Sequence, residues 1–237
     1  MFMFLDRNEA GEHLAARLLD EPLVKEATRD ELLVLSIPRG GVVVGAAMAR
    51  ILGCAHELVA VKKLGFPGQT ELAIGAMAED GVMVLSKQIS SWYQPEEGDY
   101  LTDEIARVKS RLEAYVQNLR QGRVLEVQSK IVIIVDDGVA TGETMKAALI
   151  WILSRAPHRR PKKILVAVPV CSLRAARELT KLADAFICLA APEGFRGVGQ
   201  FYWDFDQVSD AEVMAYLAKN RASSPAQPTA PEMVAKV

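Results

Sequence analysis

The stretch Ile131–Thr144 reads IVIIVDDGVATGET, and the rest of the 237-residue chain can be ordered around it. Ile131 to Val135 are consecutive β-branched residues with no polar interruption. Such a run suits a strand buried on both faces, as at the centre of a parallel sheet. It stops at two carboxylates, Asp136 and Asp137. Gly138, Val139, Ala140, Thr141, Gly142, Glu143 and Thr144 make a Gly- and Thr-rich turn, and Met145–Ser154 reads as a helix. Ligands of open α/β sheets collect at the carboxyl ends of strands, where such a turn lies.

Thr141, Gly142, Glu143 and Thr144 fall where a new helix still carries unpaired backbone N–H groups. With the positive end of the helix dipole, those groups form an anion site suited to a phosphate. Gly142 lets the backbone come close, and the hydroxyls of Thr141 and Thr144 can add hydrogen bonds. Asp136 and Asp137 are acceptors about one turn away, suited to the vicinal hydroxyls of a ribose. A phosphate at one end and a sugar diol at the other describe a ribose 5-phosphate.

The run VDDGVATGET resembles the phosphoribosyl diphosphate-binding signature of the type I phosphoribosyltransferases. Residue types agree over about a dozen consecutive positions, which is a specific match. A plain strand followed by a capped helix would explain the apolar run and Thr144, but not two adjacent acids with glycines. The resemblance covers roughly residues 32–205 and implies an α/β fold, a doubly wound, mostly parallel sheet flanked by helices with a small hood subdomain. It also implies transfer of a phosphoribosyl group from phosphoribosyl diphosphate to a nitrogen acceptor such as a nucleobase, with release of pyrophosphate, as in nucleotide salvage. Mg²⁺ would ride on the pyrophosphate. Asp136 and Asp137 would hold the ribose hydroxyls and Val139 to Thr144 the 5-phosphate, with Gly138 in the same turn.

One position departs from the family pattern. The 6-oxopurine members place an aspartate three residues after the second acid, beside the base, and this chain has Ala140 there. The Ala-Thr-Gly wording is closer to adenine- and uracil-type members. Glu71 is the candidate to supply the missing carboxylate.

Upstream, Leu32–Ser36 reads as a first buried strand, followed by Ile37, Pro38, Arg39, Gly40 and Gly41 and a helix over Val42–Leu52. This second strand–turn–helix carries a glycine pair and a cation at its anion-binding end. Arg39, Gly40 and Gly41 resemble the family's pyrophosphate loop, and an arginine can grip phosphate with two parallel hydrogen bonds. Leu58–Val61 is a short strand that runs into Lys62, Lys63 and a Gly- and Pro-containing segment ending at Glu71. By the resemblance this is a mobile loop that closes over the substrates, with Lys62 and Lys63 meeting the leaving pyrophosphate. The alternative for the lysines is a solvated turn. Leu72–Ala78 and Val82–Leu85 around a tight Glu79–Gly81 turn suggest a hairpin, so the sheet need not be parallel throughout.

Residues 86–125 read as a helical insertion, with a helix from Thr102 to about Gln121. Its stripe of Leu101, Ile105, Val108, Leu112, Tyr115 and Leu119 has heptad-like spacing. It suits packing on its own domain or, alternatively, a homodimer contact. Asn8 is expected to cap a first helix running to Leu19. Further strands are expected over Ile164–Val170 and Ala185–Ala190, with a helix capped by Ser172 between them and a last helix opened by a Ser209/Glu212 capping box. The hood segment, residues 192–208, holds Phe201, Tyr202, Trp203 and Asp204. Either these aromatics stack on a flat base, with Asp204 reaching the metal–pyrophosphate, or they seal a sheet edge. Residues 1–220 form the expected transferase domain, and residues 221–237, rich in Ala, Pro and Ser, read as a disordered tail.

Composition narrows the partners. Lys and Arg number 28 against 30 Asp and Glu, so a net charge of −2 gives no general pull toward nucleic acid. Cys54, Cys171 and Cys188 stand far apart in sequence, in apolar surroundings, and read as separate buried thiols in a reducing cytoplasm. The amino terminus lacks the pattern of a signal peptide, and no apolar run reaches membrane-spanning length. A cytoplasmic protein without a membrane partner is expected. The competing function is a regulator on the same fold that binds phosphoribosyl diphosphate or a nucleotide without catalysis.

Overall fold

A computed structural model describes residues 3–66, 69–86, 98–120 and 125–223. Five strands form a parallel sheet in the order β2-β1-β6-β7-β8: β1 (Leu32–Ser36), β2 (Ala55–Leu58), β6 (Ile131–Val135), β7 (Lys163–Val170) and β8 (Ala185–Ala190). The β6 run is central and buried at all five positions. Ile131, Ile133 and Val135 pack on one face with Leu14, Val44 and Met48 of helices α1 (Arg7–Leu18) and α3 (Gly40–Leu52). Val132 and Ile134 pack on the other with Met145, Leu149 and Trp151 of α5 (Glu143–Ser154). Alternation along the strand therefore explains why no polar residue interrupts it. Gly11 of α1 is forced by close packing, because a Cβ there would stand 2.4 Å from the Val44 carbonyl oxygen in α3.

The antiparallel hairpin does not extend this sheet. Strands β3 (Val61–Phe66), β4 (Gln69–Ala78) and β5 (Met83–Leu85) form a second, three-stranded sheet. The main sheet is thus parallel throughout, and the antiparallel character sits apart from it. Helix α4 (Gly98–Arg120) lies on the small sheet: Val108, Leu112 and Leu119 are buried with Leu64, Ile74 and Met77. The stripe expected for packing or for a dimer is used within its own domain. A buried ion pair fastens it, with Arg120 Nη1 donating to Glu79 Oε2 at 2.6 Å and Ala60 N donating to Glu79 Oε1 at 2.8 Å.

Several expected boundaries shift. Asp6, not Asn8, caps α1 by accepting from Glu9 N at 2.9 Å. The expected strand Leu58–Val61 is instead the end of β2 and the start of β3. Glu79–Gly81 is a 3₁₀ turn, and the Leu173–Leu179 helix, α6, does open on Ser172. Between α1 and α3 lies a single turn of helix, α2 (Pro22–Lys25). The last helix, α7 (Asp210–Ser223), opens on the Ser209/Glu212 capping box and runs past residue 220. Residues 224–237 of the expected tail, and 87–97 and 121–124 of the expected insertion, lie outside the described residues.

Two pairings were not legible in advance. Residues 3–5 run beside the 201–204 segment, with Phe4 N donating to Phe201 O at 3.0 Å and Trp203 N to Phe4 O at 2.9 Å. Cys171 and Cys188, expected to be separate, are neighbours, their sulfurs 3.0 Å apart. No helix among the described residues is long and apolar enough to cross a membrane.

Candidate active site

The site forms where the carboxyl ends of β1 and β6 meet the first turns of α3 and α5. Ile37 N donates to Val135 O at 2.8 Å, so the two strand ends leave the sheet together. The chain after β1 passes a cis Pro38–Arg39 peptide and enters α3 at Gly40. The chain after β6 places Asp136 and Asp137 against that turn. A Cβ on Gly40 would lie 1.9 Å from Asp137 Oδ2, and one on Gly41 would lie 2.9 Å from Asp136 Cα. Neither glycine is needed for an unusual φ here. Each is needed because the acids occupy the space a side chain would fill. The two glycines and the two acids, far apart in sequence, are thereby one unit.

The acids are held from several directions. Asp137 N donates to Asp136 Oδ1 at 2.8 Å, and Arg7 Nε donates to Asp137 Oδ2 at 2.8 Å. Tyr202 Oη donates to Asp137 O at 2.6 Å. Arg7 also donates from Nη1 to Asp206 O at 2.8 Å and lies 3.8 Å above the Phe205 ring, which stacks on Tyr202 at 5.0 Å. Burial, then the charge of Asp137, push the Asp136 carboxyl well above the usual range, with Lys63 pulling weakly the other way. Burial raises Asp137 as well, and Arg7 opposes it. A pair of carboxylates kept costly in this way gains from any donor or cation that arrives with a ligand.

The turn beyond the acids is braced from behind. Val139 N donates to Val170 O and Ser172 N to Val139 O, both at 2.9 Å, while Ser172 Oγ donates to Ala140 O at 2.6 Å. Gly142 takes the N-cap position of α5 with φ +91°, a conformation open chiefly to glycine, and its carbonyl accepts from Lys146 N at 2.9 Å. Gly138 and Val139 are buried, Ala140 and Thr141 face solvent, and Glu143 and Thr144 are half-buried at the first turn of α5. This is a braced loop with its exposed edge at a helix N-terminus.

The lysines sit in strand β3 rather than in a loop. Adjacent strand positions face opposite ways. Lys62 is half-buried, its Nζ 4.1 Å above the Tyr115 ring. Burial lowers its ammonium pKa, Asp210 opposes that, and Arg39 and Arg111 add to it. Lys63 is exposed, and its charge is felt at Asp136. Arg39 is exposed at the mouth of the glycine turn. Glu71 falls in β4 by its backbone; its side chain, and residues 67–68 of the expected closing loop, lie outside the described residues.

The aromatic segment divides. Phe201 and Tyr202 are buried in a cluster with Phe4 and Val170, so their rings are used in packing and are not open to a base. Trp203 is 70% exposed. It lines a groove of about 440 Å³ with Leu5, Asp6, Asp204, Phe205 and Asp206. Asp204 Oδ1 accepts from Asp206 N at 3.3 Å, and among the described residues no hydrogen bond joins Asp204 to the acid pair.

Arg7 is the member of the site that the sequence did not disclose. A lone arginine in a first helical turn belongs to no motif. The available signal was that a cation there opposes the helix dipole, which asks for a partner elsewhere.

Comparison with known proteins agrees with this architecture. A family model described as the phosphoribosyl transferase domain matches residues 5–206. Two curated proteins from Mycobacterium tuberculosis strains CDC 1551 / Oshkosh and H37Rv, provisionally named phosphoribosyl transferases, are each 37% identical over 223 residues, or 92% of this chain. The match covers 47% of their length, so the chain spans about half of the curated relatives. The crystal structure of TT1426 from Thermus thermophilus is 37% identical with a TM-score of 0.71, covering 92% of this chain and 99% of that one. This chain belongs to the phosphoribosyl transferase domain family.

Proposed function

We propose that the protein transfers the 5-phosphoribosyl group of phosphoribosyl diphosphate to a ring nitrogen of a nucleobase and releases pyrophosphate. The observation that carries this reading is the contact of Gly40 and Gly41 with Asp137 and Asp136. It joins a cationic glycine turn, suited to pyrophosphate, to an acid pair and phosphate turn suited to ribose 5-phosphate. One ligand that bears all three groups would satisfy both turns at once.

The parts divide by chemistry. Asp136 and Asp137 accept from the ribose hydroxyls and hold the ring while positive charge grows on it. Val139 to Thr144, at the start of α5, take the 5-phosphate through backbone N–H groups and hydroxyls. Arg39, Lys63 and Lys62 meet the pyrophosphate as it gathers charge. Trp203 and the groove beside it receive the acceptor, since this ring is exposed where Phe201 and Tyr202 are not. Glu71 keeps the role of acceptor-side carboxylate, because Ala140 cannot serve.

Mg²⁺ fits this donor set in part. Asp136 and Asp137 offer oxygens whose charge is costly where they sit, and a divalent cation would relieve that cost. No group of three or more His, Cys, Asp or Glu side chains suited to a metal occurs among the described residues. Substrate oxygens would therefore complete the shell, as is usual for Mg²⁺ with phosphates, and Asp204 is at most an outer contributor. When bound, the ion would neutralise charge on the departing pyrophosphate.

Binding without turnover is the second reading. It is favoured by the Arg7–Asp137 ion pair, which already occupies one carboxylate oxygen, and by the absent aspartate at Ala140. A pyrophosphate-release assay across purine and pyrimidine bases separates the two. Release with at least one base, abolished by Asp136→Asn, supports transfer. Tight ligand binding with no release from any base supports the second reading.

A further inference from the structure

The acid pair and phosphate turn leave one reactive cluster unused. Cys171 follows directly on β7, and Cys188 lies in the neighbouring strand β8. Cys171 N donates to Ala190 O at 3.1 Å, so the strands remain paired at this point. The two sulfurs are 3.0 Å apart, about 1 Å beyond a disulfide bond length. Cys171 is fully buried, whereas Cys188 is only partly so.

We propose that Cys171 and Cys188 form a peroxide-sensitive modification site, closing to a reversible disulfide directly behind the phosphate-binding turn. The roles of the two sulfurs differ. The contact with Cys171 draws the Cys188 thiol down, while the same contact and burial hold Cys171 up. Cys54, buried elsewhere, is pushed up to about 11 by burial and stays inert. Cys188 loses its proton and its thiolate attacks one oxygen of hydrogen peroxide. The O–O bond breaks, giving a sulfenic acid and hydroxide, which takes up the released proton as water. The Cys171 sulfur then displaces the sulfenic hydroxyl, which leaves as a second water with the Cys171 proton. Two sulfurs have lost two electrons in all, and one peroxide has become two waters. A dithiol reductant reverses the bond by exchange.

The position gives the bond a consequence. Val139 forms a parallel bridge with Cys171, and its flanking residues Val170 and Ser172 hold Val139 and Ala140 through three hydrogen bonds. Drawing Cys171 toward β8 moves the strand end that braces the turn. The effect on phosphate affinity rests on the transferase reading above; the bond itself does not.

The test treats the reduced full chain with a small molar excess of hydrogen peroxide. Intact mass should fall by about 2 Da, two thiols should resist alkylation, and peptide mapping should join Cys171 to Cys188. Dithiothreitol should restore both thiols. Cys171→Ser should stop at a sulfenic acid on Cys188 that a dimedone-type reagent traps, and Cys188→Ser should give no cross-link. Amide exchange at Val139 and Ser172 should differ between the oxidised and reduced forms, and phosphoribosyl diphosphate affinity should differ several-fold. Full alkylation of Cys171 and Cys188 after peroxide, or a cross-link through Cys54, would overturn the proposal. A cross-link with altered exchange but no ligand binding in either form would uphold the site and remove the transferase reading instead.

Discussion

Arg7 and Asp137 stand 130 positions apart, and Nε of one donates to Oδ2 of the other at 2.8 Å. Both are largely buried, at 11% and 16% side-chain exposure, so the pair is only weakly screened by water. Arg7→Met keeps an unbranched apolar stem and removes the guanidinium that lies over Phe205 and pairs with Asp137. Leaving Asp137 unpaired should cost about 3 kcal/mol in chemical denaturation. Burial already raises the Asp137 carboxyl, and losing the arginine raises it further. In the proposed reading the ligand is held by the carboxylate form, so the pH at which binding is half lost should move upward in the variant. Calorimetry from mildly acid to mildly alkaline pH measures that shift.

Asp136 should show a trade between stability and binding. Its folded pKa is raised, chiefly by burial and then by Asp137, above the unfolded value of about 3.9. The folded state then holds the proton more tightly. The group's favourable contribution is full below that unfolded value and is lost as pH rises through the folded pKa. Neutral pH lies above the unfolded value, so that contribution is reduced there. Asp136→Asn should therefore raise Tm at pH ~7 by about 2–4 °C for each kcal/mol relieved, with little gain at pH ~4, and should abolish phosphoribosyl diphosphate binding. Thermal melts at the two pH values, beside calorimetry, check both halves.

Gly40→Ala tests the contact between the two loops. The new methyl would fall 1.9 Å from Asp137 Oδ2, with Arg7 Nε 2.8 Å away, so the carboxylate must move. The backbone at Gly40 is helical, so the fold should survive and far-ultraviolet dichroism should be unchanged. Ligand affinity should fall by about tenfold or more, that is about 1.4 kcal/mol or more. Unchanged affinity would mean that the acids and the glycine turn do not share a ligand.

Trp203 and Tyr202 should behave oppositely although they are adjacent. Trp203→Ala removes an exposed ring and should change stability by less than about 0.5 kcal/mol. In a working assay it should raise KM for the acceptor and leave phosphoribosyl diphosphate affinity alone. Tyr202→Phe keeps the buried ring and removes the 2.6 Å hydrogen bond to Asp137 O, at a cost of about 1 kcal/mol. Its effect should fall on phosphoribosyl diphosphate affinity instead. Steady-state kinetics with each substrate varied in turn distinguishes the two patterns.

The parallel core was readable from the sequence because β6 has to be apolar on both faces, and the pattern of Ile131–Val135 admits few other roles. The two loops were readable for a related reason, since glycines and acids at strand ends carry local meaning. What escaped was non-local. The antiparallel strands could be recognised as a hairpin, but nothing in Leu72–Leu85 says that they form their own sheet under α4. Arg7 joins the site only because residues 3–5 run beside Phe201–Asp204, a pairing made by the backbone and so invisible in side-chain pattern. The neighbouring lysines were read as one loop, whereas strand geometry lays Lys62 over Tyr115 and leaves Lys63 exposed on the opposite side. Cys171 and Cys188, 17 residues apart, meet because consecutive parallel strands bring them together.

The most direct test of the central claim is calorimetric binding of phosphoribosyl diphosphate, with and without Mg²⁺, to the wild-type chain and to Asp137→Asn. One ligand spanning both turns predicts Mg²⁺-dependent binding that the substitution weakens by at least about tenfold. Absence of binding under every condition, or equal binding by the variant, would contradict the account.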